Sequence, residues 1–293
     1  MIIDAHNHPG WYGYTLDKFL ANMDQYGISQ TWLLSWEAPQ DEYDPVYRPI
    51  LPDSEPDGPI AFRHCLAFRE QAPDRFILGY APDPRRPGAL ERFRQAVQTQ
   101  DVRIFGELKL RMMLDNPDAV RLYRFCGEQG IPVVLHLDYE LPANDTSIRP
   151  NWWYSGGIEA LARTLALCPD TIFLGHAPGF WAHISGDNRY LTEAYPGGPV
   201  LPGGRLPELL ETYPNLYCDI SAGSGHNALS RDPAFGRQFI LTYQDRILYG
   251  RDYFDNRHQE FIDGLNLPLP VREKIYSGNA RKLVPAQTPG GTE

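Results

Sequence analysis

Apolar residues recur along this chain in two alternating rhythms. Near-continuous runs of Val, Ile, Leu and Phe at 2–5, 31–35, 76–81, 102–108, 133–137, 172–174, 216–220 and 247–249 predict eight short strands. Several of these runs lack polar alternation, as expected of parallel strands covered on both faces. Between them lie stretches of 3.6-residue periodicity. The first opens at Thr15-Leu16-Asp17-Lys18, turns Phe19, Leu20 and Met23 to one face and stops at Gly27. Further helices are predicted over 60–71, 88–98, 117–129, 157–167, 205–212 and 233–242. Pro117 and Pro233 suit first turns, and Gly130 suits a stop. The stretch 272–283 also reads as helical, and 285–293 as a flexible tail.

Eight strands each followed by a helix, in 293 residues, is the arithmetic of an α/β fold of the (β/α)8 TIM-barrel type. It predicts a single domain over 1–284. An open doubly wound sheet is the alternative, but no GxGxxG follows any strand. Composition adds a location for function. The chain carries 26 Gly and 27 Pro, above their usual share and without a period. They gather at 37–59, 138–157 and 177–204, each after the C-terminal end of a strand. Long βα loops at that face build the active sites of such barrels.

Charge and hydropathy remove whole classes of function. The net charge is -10 and only Lys18, Lys109, Lys274 and Lys282 are lysines, so a nucleic-acid footprint is not expected. Mean hydropathy is -0.42, and no apolar run approaches the ~18–20 residues of a membrane span. Met1-Ile2-Ile3-Asp4 has neither a basic segment nor a long apolar one, so no secretory signal is expected. Cys65, Cys126, Cys168 and Cys218 form no CxxC pair and read as reduced core residues, which makes the cytoplasm the expected location.

The candidate chemistry begins at Asp4-Ala5-His6-Asn7-His8, which ends the first strand. Residues two apart on a strand share a side, so Asp4, His6 and His8 are expected together, with both imidazoles at the barrel mouth. The plainer reading is two surface histidines beside a turn at Pro9-Gly10. His136 and His176 each end an apolar run, and Asp252 follows closely on another. A purely structural role there would bury polar groups at a cost. Convergence of these groups points instead to a divalent cation, Zn²⁺ first and Mn²⁺ second, since borderline Zn²⁺ favours imidazole plus carboxylate. On the fourth strand Glu107, Lys109 and Arg111 share parity. Glu107 is a candidate ligand there, the alternative being a charge network with Lys109 or Arg111.

Together with Leu216-Tyr217-Cys218-Asp219-Ile220-Ser221, Arg246-Ile247-Leu248-Tyr249-Gly250-Arg251-Asp252-Tyr253 and Ser277-Gly278-Asn279-Ala280-Arg281, these motifs resemble the amidohydrolase superfamily. The likeness covers nearly the whole chain and is greatest to the amidohydrolase 2 branch, related to aminocarboxymuconate semialdehyde decarboxylase. The resemblance implies one divalent metal ion held by His6, His8, His136 and Asp252. It implies His176 as an acid/base behind the ligands and Asp252 as the acceptor of a proton from water. In binuclear members a carboxylated lysine or a glutamate on the fourth strand bridges two metals, which extends the candidate ligands to Glu107.

The expected reaction is hydrolysis of an amide, ester or lactone bond of a small molecule, because a bound ion would lower the pKa of a water from 15.7 towards ~7 and polarise a carbonyl. The alternative is non-oxidative decarboxylation of a small unsaturated or aromatic acid on the same metal; Glu107 departs from that pattern and favours hydrolysis. A third reading, of another class, is a catalytically silent metal-stabilised binding protein. Trp11, Arg111, Trp181 and Tyr253 are the expected substrate contacts, out of a wider set of loop aromatics: Tyr12, Trp36, Trp152, Trp153 and Phe254. Arg149 and Arg251 join Arg111 as candidate carboxylate clamps. His183 and His226 are further loop candidates, whereas His64 and His258 read as structural or exposed. Asp219 reads as locally hydrogen-bonded and Ser221 as facing the pocket. The partner is thus a small-molecule substrate, with neither nucleic acid nor membrane, and a homo-oligomer fits the resemblance.

Overall fold

Each predicted apolar run becomes a strand of one sheet: β1 (Ile2–Asn7), β2 (Ile28–Leu33), β3 (Phe76–Gly79), β4 (Val102–Leu108), β5 (Val133–His136), β6 (Phe173–His176), β7 (Leu216–Asp219) and β8 (Ile247–Leu248). The computed structural model describes residues 1–42, 49–52, 58–138 and 153–285. Arg149, Trp152 and residues 286–293 of the expected tail lie outside them. The eight strands pair in chain order, all parallel. Two backbone bonds, Ala5 N–H to Tyr249 O at 2.9 Å and Asp252 N–H to His6 O at 2.8 Å, span the seam between β8 and β1. The fold is a (β/α)8 TIM barrel.

Helices α1 (Leu16–Gln25), α2 (Phe62–Gln71), α3 (Ala89–Gln100), α4 (Pro117–Gln129), α5 (Gly157–Leu167), α6 (Pro178–Trp181), α7 (Arg205–Thr212), α8 (Ala222–Ser230), α9 (Pro233–Thr242), α10 (Arg257–Gly264), α11 (Leu269–Glu273) and α12 (Asn279–Leu283) follow the strands. Local chemistry sets several starts. The Thr15 side chain accepts from Lys18 N–H, Asn116 caps α4 ahead of Pro117, and Asp232 caps α9 ahead of Pro233. The predicted 272–283 helix is instead α11, a π turn at Lys274–Gly278, and α12. Helix α8 was not expected, because Ala222-Gly223-Ser224-Gly225 offers no apolar stripe. No helix among the described residues is long and apolar enough to cross a membrane.

Side-chain parity decides what reaches the barrel mouth. Ile3, Ala5, Trp32, Leu34, Ile104, Val134, Leu174, Tyr217 and Leu248 form the inner core, while Phe76, Phe93, Phe105, Tyr123 and Phe173 belong to the core between strands and helices. On β5, β6 and β7 strict alternation from Val134, Leu174 and Tyr217 carries His136, His176 and Asp219 inward. On β1 and β4 the same count from Ala5 and Ile104 would carry Asn7 and Gly106 inward. Register irregularities between Asp4 and Asn7, and between Phe105 and Leu108, shift the phase. Such irregularities re-aim side chains, and here they bring His6, His8 and Glu107 to the mouth. Asp4 therefore does not share a side with the two imidazoles as the period-two reading expected; it lies against Arg251.

A buried histidine near this face supplies a pH prediction. His258 on α10 is 2% exposed, not a surface residue; its Nε2 bonds the Ala222 carbonyl, and its Nδ1 has no partner. Burial, with the neighbouring His226 charge, pushes its pKa from 6.5 down to about 4. The unfolded chain therefore binds the proton more readily, so this contribution to stability is intact above pH 6.5 and is lost as pH falls towards 4. Between pH 7 and 5 the loss is expected to reach about 2 kcal/mol. Urea titrations of wild type and His258→Gln should show a weaker pH dependence in the variant; identical dependence would contradict the assignment.

Candidate metal centre

Four residues from three strand ends bring their donor atoms together. His6 Nε2 and His8 Nε2 are 3.3 Å apart. Glu107 Oε1 lies 3.6 Å from His6 Nε2, and its Oε2 lies 3.6 Å from His8 Nε2. Asp252 Oδ1 is 3.6 Å from His8 Nε2 and 4.0 Å from His6 Nε2. A tetrahedral cation with bonds of ~2.1 Å has donor-to-donor edges of about 3.4 Å. The spacings about the two imidazoles lie near that value, and His6, His8 and Glu107 form a possible metal group with Asp252 alongside.

Hydrogen bonding behind the cage makes the fit chemical as well as metric. His8 Nδ1 lies 2.8 Å from the Leu34 carbonyl, which only accepts, so Nδ1 carries the hydrogen and Nε2 is bare. His6 Nδ1 donates to Asp219 Oδ2 at 2.6 Å, so once the ring gives up its second proton its Nε2 is left bare. The two Nε2 atoms, 3.3 Å apart, share a proton or a cation between them. Asp252 Oδ1 is also buried without a hydrogen-bond partner. A cation in place of the shared proton would also satisfy Asp252 Oδ1, and the partners of the two remote nitrogens orient the rings as groups behind metal ligands do.

His136 lies against Glu107, and His176 lies between Glu107 and Asp252, its ring 4.5 Å from that of His6. His136 Nδ1 is 2.8 Å from Glu107 Oε1, and its Nε2 is 3.4 Å from Asp138 Oδ2. His176 Nε2 lies 3.7 Å from both Glu107 Oε1 and Asp252 Oδ2 and has no hydrogen-bond partner. Its Nδ1 meets Ser221 Oγ at 2.9 Å. Two further triads offer donor atoms within 4.8 Å of one another: Glu107, His136 and His176, which shares Glu107, and His6, His176 and Asp252.

The electrostatics follow from burying acids among imidazoles. Burial opposes a charge on His6, yet the charge and hydrogen bond of Asp219, helped by Glu107 and Asp252, push its pKa up to about 10. Burial also works against the Glu107 carboxylate, but His136 and Lys109 hold it well below its usual range. Asp252 moves the other way, raised by burial and by the Glu107 charge. Burial, with the charges on His6 and His136, holds the His176 imidazole well below 6.5.

Other predicted residues are placed as follows. Trp11 lies beneath the cage, its ring 5.4 Å from His8 and its Nε1–H on the Asp252 carbonyl. Tyr253 packs on Tyr12 and under Arg257. Arg111 donates its backbone N–H to Glu42, and its guanidinium lies 5.7 Å from the Trp153 ring centre. Trp181 is 1% exposed, donates to the Asp219 carbonyl and packs on Phe180 and Phe239; its place is behind β7 instead of on an open face. Arg251 is fully buried on Asp4, away from any clamp position. Trp36 donates its Nε1–H to the Lys109 carbonyl, and Phe254 stacks on Tyr14. His183 is buried against Tyr190, and His226 lies on α8 beside His258, not in a loop. His64 lies in α2 as expected.

Asp138 was not singled out from sequence, although it stands two residues beyond His136 and so shares its parity. Asp219 reaches much farther than the expected local bond, to an imidazole 213 positions away. This gives a prediction. Asp219→Asn keeps the shape but loses the charge that fixes His6, and metal affinity is expected to fall about 10–100-fold. Competition with a chromophoric chelator measures it; wild-type affinity would contradict the role.

A family model described as amidohydrolase matches residues 3–286. Among curated proteins none matches the chain. An uncharacterised TIM-barrel protein from Bordetella bronchiseptica is similar in structure, with a TM-score of 0.61 at 19% identity over 96% of this chain and 97% of that one. A dihydroxybenzoic acid decarboxylase from Polaromonas sp. JS666, solved with manganese and 2-nitroresorcinol, has a TM-score of 0.61 at 16% identity over 96% of both chains. A proposed 2-pyrone-4,6-dicarboxylic acid hydrolase from Pseudomonas putida has a TM-score of 0.59 at 16% identity, again over 96% of both. At these identities the likeness is one of fold.

Proposed function

This chain belongs to the amidohydrolase family, and we propose that it is a metal-dependent hydrolase cleaving an amide, ester or lactone bond of a small molecule. The observation that carries the reading is the cage of His6, His8, Glu107 and Asp252, with donor spacings of 3.3–4.0 Å. These four residues would hold a divalent ion, Zn²⁺ or Mn²⁺. Such an ion supplies acidification of water and polarisation of a carbonyl oxygen.

The chain's own groups supply the proton handling. Asp252 has a side chain 13% exposed, the most open of the cage, and its Oδ2 faces His176 Nε2 at 3.7 Å. It is placed to accept a proton from an attacking water. The remote nitrogens of His6 and His8 are tied to acceptors, whereas His176 Nδ1 meets a hydroxyl that either donates or accepts. His176 Nε2 can therefore carry a proton or lack one, which suits delivery to a leaving atom. His136 steadies Glu107 from behind. The Glu107–His136–His176 group supports a second stoichiometry, in which Glu107 spans two ions and His136 and His176 are ligands.

One observation favours decarboxylation as the second reaction. The Lys109 ammonium, held 4.5 Å from the Trp36 ring centre, acts electrostatically on Glu107 and Asp252 and is a candidate partner for a substrate carboxylate. Turnover of a lactone, amide and carboxylic-acid panel in H₂¹⁸O separates the two. Hydrolysis places ¹⁸O in the product without CO₂. Release of CO₂ without ¹⁸O uptake would replace the hydrolase reading.

A further inference from the structure

The ligand-bearing ends of β1 and β8 meet at the seam where regular strand pairing gives way to single bonds, and a fully buried ion pair occupies that place. Asp4 Oδ1 accepts from Arg251 N–H, and Asp4 Oδ2 from Arg251 Nε–H, both at 2.8 Å. The same carboxylate accepts from His6 N–H at 3.3 Å and from Asn7 Nδ2 at 3.2 Å. Asn7 spends its other amide contacts on the same junction, donating to Tyr253 O at 2.9 Å and accepting from His8 N–H at 2.9 Å. Arg251 Nη1 donates to Asn22 Oδ1 at 2.8 Å, and Asn22 Nδ2 donates to Phe254 O at 2.7 Å. The bonds thus fall on residues 6, 7 and 8 of one segment and 251, 253 and 254 of the other. They bracket His6, His8 and Asp252, three corners of the cage.

Asp252 itself holds a left-handed backbone, with φ of 52°. A residue other than glycine keeps that conformation when its surroundings over-determine it. Its two neighbours supply the restraint: Arg251 through Asp4, and Tyr253 through Asn7. Both charges of the pair are 0% exposed. A buried pair adds little net stability against an apolar replacement, but it imposes a geometry.

We propose that Asp4, Arg251 and Asn22 form a positioning clasp that sets the distance between the β1 imidazoles and Asp252, and so tunes metal affinity without touching the ion. The proposal rests on the metal centre proposed above. Arg251→Lys keeps the charge and the backbone bond to Asp4 but loses the paired Nε–H and Nη1–H bonds to Asp4 and Asn22, whereas Asn22→Ala removes only the Asn22 bonds to Arg251 and Phe254. With Co²⁺ as the probe, Arg251→Lys is expected to bind about 10–100-fold more weakly and to shift the visible Co²⁺ spectrum, as for other groups that orient ligands. Asn22→Ala should move both readouts in the same direction by a smaller factor. Variants that lose thermal stability but keep wild-type Co²⁺ affinity and spectrum would overturn the clasp. If Arg251→Lys does not fold, the Asn22→Ala affinity and spectrum decide alone. Failure of wild type to bind Co²⁺ would instead overturn the metal centre.

Discussion

His8→Ala is expected to fold, to lose its metal and to lose turnover. The change costs the Leu34 carbonyl one hydrogen bond, a loss of about 1 kcal/mol. The cage loses a corner whose donor stands 3.3–3.6 Å from its neighbours. Removing a ligand should exceed the ~10–100-fold loss seen for groups that merely orient ligands. Metal affinity and kcat/KM should both fall by more than about 100-fold. Dialysis against Zn²⁺ followed by metal analysis and assay checks this. A variant retaining full metal and turnover would place the ion elsewhere. His6→Ala is a less clean experiment, because it also strands the buried Asp219 carboxylate without its imidazole.

His176→Ala is expected to separate binding from chemistry. Its Nε2 lies 3.7 Å from Glu107 Oε1 and from Asp252 Oδ2, and it can join His6 and Asp252 in a donor group. With His6, His8, Glu107 and Asp252 intact the cage should keep its ion, while kcat falls about 10²–10⁴-fold, the usual weight of a positioned acid or base. If the variant loses its metal, His176 is itself a ligand, with His6 and Asp252 or with Glu107 and His136. Unchanged kcat with unchanged metal would remove it from the reaction.

The barrel was legible because strand and helix periods alternate cleanly and the outer core is built from residues such as Phe105 and Phe173 that end up between layers. Strand-end chemistry on β5 and β6 was legible for the same reason, since His136 and His176 keep phase with Val134 and Leu174. On β1 the two imidazoles reach the mouth by a shift of register, which no two-residue count contains. Asp4 and Arg251 looked like site residues because they flank the motifs. Their partnership spans 247 positions and appears only when the barrel closes. Trp181 was expected at an open face, yet its indole N–H is spent on the Asp219 carbonyl. Helix α8 escaped because glycine, serine and alanine carry no periodic signal.

The most direct measurement is the metal content of the full chain purified without chelators, read together with activity after chelation and reloading. The cage predicts about one tightly held divalent ion per chain, or two if Glu107 is shared, with turnover lost on removal and restored by Zn²⁺ or Mn²⁺. A folded protein that contains no metal, and whose turnover does not respond to Zn²⁺ or Mn²⁺, would contradict the account.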